Sequence, residues 1–577
     1  LGQADVGAAI TVVASYTDAQ GTAESVASAP TDPVANVNDA PELVVPSDAA
    51  VAEFAATGSV VTTIAATDED EDTLIFTMLD DAGGRFAFAD TSSGQIIVND
   101  GLALDFEQQG SHDVIFTVSD GIETLQRTIS IAVQDNGAAE VVTADDLGRQ
   151  LVGGVFADQF TGGLGNDTLT GGGGNDTLEG SGGADSLAGG ADTDTLSYAL
   201  DTSGVTVRLF NNTASGGFAT GDVISGFENV VGGSGNDALI GDGQANELLG
   251  LDGNDTLSGL GGGDTLDGGT GDDVIRSAAG ADTLIGGADT DTLSYSLDTD
   301  GVAVRLFNNT ASGGLATGDV ISGFENVVGG SGNDVLLGDG LSNDLRGLGG
   351  NDTLSGLGGG DRLDGGTGDD LIRSAAGADT LIGGADTDTL SYSLDTSGVA
   401  VRLFNNTASG GFATGDVISG FENVVGGSGN DLLVGNVGSN VLRGLGGNDR
   451  ILGIAGEDVI DGGTGQDTID GGDGFDQLTG GADADLFVFR ENFGEDVITD
   501  FGGGDVARVF DLQAGFNSFS DFDVTGDGVI DANDAALTSN VSVSADFLEL
   551  SFNATGTLRI LFEDVTSLGT SELDLFS

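Results

Sequence analysis

Gly162-Gly163-Leu164-Gly165-Asn166-Asp167-Thr168-Leu169-Thr170 runs without a break into Gly171-Gly172-Gly173-Gly174-Asn175-Asp176-Thr177-Leu178-Glu179. Both are one nine-residue unit, G-G-x-G-x-D-x-L-x. Followed outward in that register from Gly153 to Val488, the unit recurs 26 times. Its sixth position is Asp in 23 units and Asn in three, Asn246, Asn343 and Asn440, and its eighth is Leu, Ile or Phe in all 26. Each part has a physical meaning. Glycines permit tight turns with left-handed backbone angles, so that carbonyl oxygens converge on one point. The Asp adds a carboxylate, and the apolar residue two places later points from a short strand into a core. Hard oxygen ligands of this kind suit Ca²⁺.

The period sets the geometry. If two units make one turn of a parallel β-roll, as the family resemblance given below implies, residues two units apart stack on adjacent rungs, about 4.8 Å apart. Asp167 then lies over Asp185 and Asp176 over Asp194, in two carboxylate ladders on opposite edges. Unit charges at that spacing repel by about 3 kcal/mol at an effective dielectric of about 20. The 103 glycines add a large entropy cost on ordering. Metal binding must then supply much of the folding free energy. The expectation is disorder without calcium and order with it.

The candidate ligands are the sixth-position aspartates. Before the first insert these are Asp158, Asp167, Asp176, Asp185 and Asp194. The next run has Asp237, Asp255, Asp264, Asp273, Asp282 and Asp291, and the one after it Asp334, Asp352, Asp361, Asp370, Asp379 and Asp388. The last has Asp431, Asp449, Asp458, Asp467, Asp476 and Asp485. Some units depart from the pattern, and each departure is expected to weaken a site. Asp192, Asp289 and Asp386 stand where the fourth-position Gly belongs. Ser277-Ala278-Ala279 and Ser374-Ala375-Ala376 replace leading glycines. The three Asn remove a charge but keep an oxygen.

The nonapeptide resembles that of RTX (repeats-in-toxin), hemolysin-type calcium-binding proteins. The resemblance covers about 153–577 and implies a secreted protein whose repeats wind as a parallel β-roll around many Ca²⁺ ions.

Composition agrees. Asp and Glu total 94 against 15 basic residues, a net charge of −79. Such a chain does not bind nucleic acid or an anionic membrane through charge. Cysteine is absent, so no disulfide framework exists. No apolar run is long enough to span a membrane.

A longer repeat lies above the short one. Tyr198, Tyr295 and Tyr392 are 97 residues apart, and TGDVISGFENVVGGSGND recurs unchanged at 220–237, 317–334 and 414–431. Each copy is an insert (198–231, 295–328, 392–425) followed by seven nonapeptides. The inserts read as about two wider coils continuing the solenoid, with a looped-out hairpin as the alternative.

From Pro41 to Asn136, strands alternate in period two and acids cluster at their edges. This stretch resembles a cadherin-like repeat, with a plain immunoglobulin-like sandwich as the alternative. The resemblance implies calcium held between domains. It makes Glu53 the first acid, Asp68 and Asp70 the D-x-D, and Asp105 with Glu107 the L-D-x-E, while Asn36-Val37-Asn38-Asp39-Ala40-Pro41 matches the inter-domain linker, with Asn38 and Asp39 as ligands. Asn36 and Ala40 depart from that linker. The one histidine, His112, opens a strand and is expected at the surface in a structural role. Residues 1–40 read as the last hairpin of a preceding sandwich, a piece too small to be stable alone, so the chain is expected to continue upstream. Residues 137–152 read as a linker.

Residues 489–577 lose the nonapeptide. Their acidic-hydrophobic end, Glu572-Leu573-Asp574-Leu575-Phe576-Ser577, is similar to the uncleaved signal of type I secretion. Within them Asp523, Thr525, Asp527, Val529, Asp531 and Asp534, with Gly528 at the sharp turn, resemble an EF-hand or dockerin calcium loop. Thr525 and Asp534 depart from the usual Asp/Asn and Glu, which weakens binding.

The expected fold is all-β, with a cadherin- or immunoglobulin-like sandwich, a parallel β-roll and a mainly β C-terminal secretion region. No enzyme is expected, since a single His and no Cys exclude H-E-x-x-H and Cys/His constellations, and no G-x-S-x-G occurs. The function expected is that of a calcium-folded C-terminal region of a secreted adhesin at the bacterial surface. An S-layer or matrix protein and the tail of a hydrolase or epimerase with its catalytic domain upstream are the alternatives. Expected partners are the type I secretion machinery and cell-surface glycans or copies of the chain itself.

Overall fold

The computed structural model describes residues 5, 7–35, 37–490, 494–502 and 504–509, and short strands beyond them at 529–530, 541–543, 547–551, 556–562, 568–569 and 573–575. All strands and 3₁₀ turns, with no α-helix among the described residues, make it an all-β protein. The chain divides into two compact units, one of residues 1–198 with 212–227 and one of 199–211 with 228–577.

The first unit opens with a hairpin, Val13–Thr17 against Ala23–Ala27, exposed on both faces. A sandwich follows. One sheet holds Ala50–Ala52, Thr124–Gln134, Ser111–Ser119 and Ile75–Asp80 in that order, and the other Val60–Thr63, Gln95–Val98 and Phe86–Phe88. Alternation decides which side chains enter the core: Val114, Phe116 and Val118 are fully buried, and Ile96, Val98 and Ile131 meet them. His112 shares that inward register. It is 4% exposed, edge-on to Phe86 at 6.2 Å, and burial lowers its pKa. The surface position expected for it is therefore corrected; period two places His112 with Val114.

The solenoid begins earlier than its glycines do. Val141–Thr143 pairs in parallel with Gln159–Thr161, and Gln150–Val152 with Thr168–Gly173, so most of the expected linker is already the first turn. Gln159 then pairs with Thr177, Thr177 with Thr195, and Thr168 with Ser186, each a step of two nonapeptides.

In the second unit the same step gives Leu239, Leu257, Ile275 and Leu293 in one stack and Leu248, Leu266 and Leu284 in the other. Every eighth-position residue of the 26 nonapeptides is at most 1% exposed, so within each compact unit every turn contributes one apolar side chain per sheet to the core. The second and third inserts combine the two shapes expected. Ala303–Arg305 pairs in parallel with Val335–Leu337, and Asn326–Val328 with Thr292–Ser294, which continues the coil. Thr310–Ser312 runs antiparallel to Ala303–Arg305, which is a hairpin built into it. The third insert repeats this at Ala400–Arg402 and Thr407–Ser409. Past the last nonapeptide, Gln477 pairs with Val497 and Leu486 with Val506, so the coil goes on with a longer step.

Candidate calcium sites

The sixth-position aspartates are inside the turns. All are at most 4% exposed. Oδ1 of each accepts the main-chain N–H of the residue one rung earlier, as in Asp158 to Asp176 (2.7 Å), Asp167 to Asp185 (2.7 Å) and Asp176 to Asp194 (2.8 Å). The same bonds join Asp237, Asp255, Asp273 and Asp291, then Asp334, Asp352, Asp370 and Asp388, then Asp431, Asp449, Asp467 and Asp485. On the other edge Asp264 leads to Asp282, Asp361 to Asp379, and Asp458 to Asp476. Glycine at the unit's first position makes room for the carboxylate, because a Cβ at Gly171 would stand 2.2 Å from Asp176 Oδ2, and one at Gly250 the same distance from Asp255 Oδ2.

The second oxygen separates the head of each run from its interior. At Asp158, Asp237, Asp334 and Asp431, Oδ2 accepts a glycine N–H four residues earlier, at 2.6–3.0 Å. Asp167 Oδ2 also accepts from Gly163, and Asp282 and Asp379 accept from the hydroxyls of Ser277 and Ser374, but at most other interior positions Oδ2 is buried and accepts nothing: Asp176 and Asp185; Asp255, Asp273 and Asp291; Asp352, Asp370 and Asp388; Asp449, Asp458, Asp467, Asp476 and Asp485. A buried carboxylate oxygen left in that state costs free energy unless a proton or a cation meets it. Burial pushes Asp255, Asp352 and Asp449 up to about 7, and the aspartates stacked on either side add to the shift.

The departures prove to be satisfied by protein. Asn246 Oδ1 accepts the N–H of Asp242 and its Nδ2 donates to the Glu228 carbonyl, and Asn343 and Asn440 repeat this. Ser277 and Ser374 give their hydroxyls to Asp319 and Asp416 at 3.0 and 3.1 Å. Tyr295 and Tyr392 donate to the same carboxylates at 2.8 Å. Asp319 and Asp416 also accept the N–H of Asp282 and Asp379, which makes them ladder residues within the inserts. Glu325 and Glu422 do likewise for Asp291 and Asp388. The tyrosines spaced by the long repeat thus complete the ladder where it crosses an insert. Asp192, Asp289 and Asp386 sit at φ of 80°, 84° and 87°, keeping the left-handed turn without glycine.

The sandwich acids form two separate groups. Asp68, Asp70 and Asp72 bring carboxylate oxygens within 4.8 Å of one another. Asp39 N–H donates to Asp70 Oδ2 at 2.7 Å, and Asn38 Nδ2 to Asp120 Oδ2 at 2.8 Å. Glu53 and Glu107 meet Asp135 in the other group. Asp105 is 1% exposed and accepts the N–H groups of Gln108 (2.8 Å) and Val152 (2.9 Å).

The family model for the RTX calcium-binding nonapeptide repeat (4 copies) matches residues 161–196, 224–257, 258–293, 321–354, 337–372, 355–390, 418–451, 425–460 and 452–487. This chain carries RTX calcium-binding repeats. No curated protein matches. Similar solved structures are cadherin ectodomains. Human protocadherin-24 EC1-2 is 24% identical, over 20% of this chain and 58% of that one, with a TM-score of 0.16. Chicken VE-cadherin EC1-2 is 21% identical, over 22% and 66%, with a TM-score of 0.17. Human desmocollin-1 is 20% identical, over 22% and 28%, with a TM-score of 0.16.

The interior of the solenoid fits the ion that the repeat's description names. It offers buried carboxylate oxygens without partners, cradled by glycines, and such hard donors suit Ca²⁺. Bound there, calcium would neutralise the ladder, and the chain's own N–H groups hold the carboxylates in place for it. Sequence reasoning missed Asp319, Asp416, Glu325 and Glu422, and Asp222, whose Oδ1 accepts the Asp185 N–H at 2.9 Å, since no nonapeptide surrounds them. It also missed Asp496 and Asp505, whose Oδ1 atoms accept from Asp476 and Asp485. A register search that tolerates short insertions finds all of these. Asp523, Thr525, Asp527, Asp531 and Asp534 lie outside the described residues, and Val529 is described only as part of a short strand paired with Leu568–Gly569.

Proposed function

We propose that this chain is the calcium-folded C-terminal region of a secreted adhesin of the bacterial surface. The carrying observation is the file of buried, unpartnered Oδ2 atoms inside each run, such as Asp255, Asp273 and Asp291. A chain of net charge −79 that buries these groups is poorly folded where free calcium is scarce, as in a cytosol, and folds where calcium is abundant. That is what threading through an exporter requires, and folding at the exit opposes back-sliding. RTX repeats imply type I secretion and a secreted protein, and the repeat solenoid is a structural, non-catalytic fold. Among the described residues no helix is long and apolar enough to cross a membrane. The adhesin reading rests on a sandwich set before a solenoid whose three near-identical copies offer the same surface repeatedly, to glycans or to other copies. The loop from Asp523 to Asp534 is assigned a further ion in the C-terminal secretion region.

Two measurements test this. In a host supplying a type I exporter, truncation after Val509 should abolish secretion with expression intact; secretion at the wild-type level removes the export assignment. Cells displaying the chain should attach to a glycan-coated surface in calcium and detach in chelator. Ordered surface lattices without attachment would instead identify a structural layer.

A further inference from the structure

The three long copies differ at the turn that meets the insert. In the second copy Ser277 leads its nonapeptide, where glycine is usual, and is 1% exposed. Its hydroxyl stands 3.0 Å from Asp319 Oδ2, 3.4 Å from Asp282 Oδ2 and 3.4 Å from the Ala278 carbonyl. Asp319 also accepts the Tyr295 hydroxyl on Oδ2 at 2.8 Å and the Asp282 N–H on Oδ1 at 3.0 Å. Asp282 Oδ1 accepts the Asp264 N–H at 3.0 Å, so every carboxylate oxygen of the Asp282–Asp319 pair has a donor. The third copy repeats the arrangement. Ser374 lies 3.1 Å from Asp416 Oδ2 and 3.3 Å from Asp379 Oδ2, and Tyr392 donates to Asp416 at 2.8 Å. The first copy keeps the carboxylate pair and the tyrosine but has Gly180 in place of the serine. There Asp222 accepts the Asp185 N–H and the Tyr198 hydroxyl, each at 2.9 Å. Asp185 Oδ2 is left buried and without a partner, and a Cβ on Gly180 would stand 2.5 Å from it. One side chain thus separates a closed pair from an open one.

We propose that the hydroxyls of Ser277 and Ser374, each backed by a tyrosine, stand in for a calcium ion. The Asp282–Asp319 and Asp379–Asp416 pairs then close without a cation, while the Asp185–Asp222 pair takes one. The assignment rests on the reading of buried, partnerless Oδ2 atoms as calcium ligands. Hydrogen bonds to a carboxylate are among the stronger ones, and Asp319 collects three, from Ser277, Tyr295 and the Asp282 N–H. An ion entering here would have to displace these donors, since calcium needs its oxygens at about 2.3–2.6 Å. Closure is confined to one edge. On the other, Glu325 and Glu422 accept the N–H of Asp291 and Asp388, whose Oδ2 atoms stay buried and unpartnered. Each of these two inserts therefore joins a cation-free edge to a cation-dependent one. Stacked turns contact only their neighbours, so a turn closed in advance on one edge is where the calcium-dependent rungs beside it begin to order.

Calcium bound per chain is counted by native mass spectrometry of the full chain at saturating calcium, with circular dichroism on the same samples. Ser277→Gly and Ser374→Gly should each add one ion, and the double variant two, with the β-signal unchanged. An unchanged count in folded variants overturns the proposal. A lower count does so too, because it would make the serines calcium ligands. Should the glycine variants fail to fold, the wild type decides, by hydrogen exchange as calcium is raised from chelator. Segments 277–295 and 374–392 should gain protection at lower calcium than 180–198, and a gain at the same or higher calcium overturns the proposal. A wild type that binds calcium, with variants that leave the count unmoved, fails this assignment alone. A wild type that binds no calcium fails the calcium-folding reading, and the assignment falls with it.

Discussion

Sandwich and solenoid bury their side chains under opposite rules. In the sandwich Phe76, Phe86 and Phe116 are at most 4% exposed and pack with Ile96 and Val114, while the acid run Asp68–Asp72 stays at strand ends. In the solenoid each nonapeptide buries one Leu, Ile or Phe and, two residues before it, one sixth-position Asp or Asn almost as completely. The sandwich has a thick apolar core, whose burial stabilises it without help. The solenoid has a thin one, beside carboxylates that burial and mutual repulsion oppose. On the proposed reading the first region is held chiefly by its apolar core, and the second waits on a cation.

Chelation should separate them most. With calcium removed, residues 159–482 should lose β-signal and amide protection, whereas protection of Val114, Phe116, Ile129 and Ile131 should persist. Magnesium should restore the solenoid much less well than calcium, because it tolerates irregular oxygen geometry poorly. Hydrogen exchange read by mass spectrometry decides it. A circular-dichroism spectrum unchanged after exhaustive chelation would show that the solenoid folds without a cation, and the contrast between the two regions would collapse.

Acid should act in opposite directions on the two states of the solenoid. Folded, Asp255, Asp352 and Asp449 have pKa values raised to about 7, and Asp176, Asp273 and Asp370 to about 6, chiefly by burial. The metal-free folded state therefore binds more protons than the unfolded chain between the ordinary carboxylate range and about 7. Its stability is greatest below that window and is lost as pH rises through it. The metal-free chain should gain β-signal on acidification from pH about 7 to about 4, while the calcium-loaded chain releases ions over the same range. A metal-free chain that stays unfolded at the acid end would show that glycine entropy, not carboxylate charge, is what calcium offsets.

The two regions were also unequally legible. The step between rungs, the eighth-position core and the sixth-position acids were plain in the solenoid because one register repeats with few exceptions. What escaped is where that register breaks. Val141 and Gln150 belong to rungs that lack the glycine turn, so their turn read as linker. Asp319 and Asp416 lie in inserts where spacing alone could not align them with Asp282 and Asp379. In the sandwich, acids that one motif set suggested together fall into two groups, and which acids meet depends on how strands from distant sequence pack. Glu140 stands two units before Asp158 and bonds to it as a ladder residue does, but Asp135-Asn136 replace the leading glycines of its unit. His112 reads as polar at a strand's start, and only the inward register of Val114 and Phe116 shows that it is buried.

Core truncation should mark the difference in cooperativity. Leu266→Ala removes a side chain that is 1% exposed, stacked between Leu248 and Leu284. The cost is about 2–5 kcal/mol, and since stacked repeats contact only their neighbours it should appear as lost exchange protection on the adjacent turns. Phe116→Ala should cost about 3–5 kcal/mol and weaken the whole sandwich, where one core is shared. Loss of protection throughout the solenoid on Leu266→Ala would show that the runs fold as one body.

The smallest effect is expected at the second position of the nonapeptide, where Leu replaces the usual Gly in some units. Leu251 is 39% exposed and holds φ of 79°, a conformation natural to glycine, and Leu348 and Leu445 repeat it at 77° and 72°. Leu251→Gly relieves left-handed strain of about 1–2 kcal/mol. Against this stand about 0.5–1 kcal/mol of added glycine entropy and the loss of a side chain already more than a third exposed. The terms nearly cancel, and the calcium midpoint of folding should barely move. Leu251 lines a shallow cavity with Leu249 and Gly269. A loss well beyond 1 kcal/mol would mean that this contact outweighs the strain, and that this position of the nonapeptide contributes to a second, outer apolar stack.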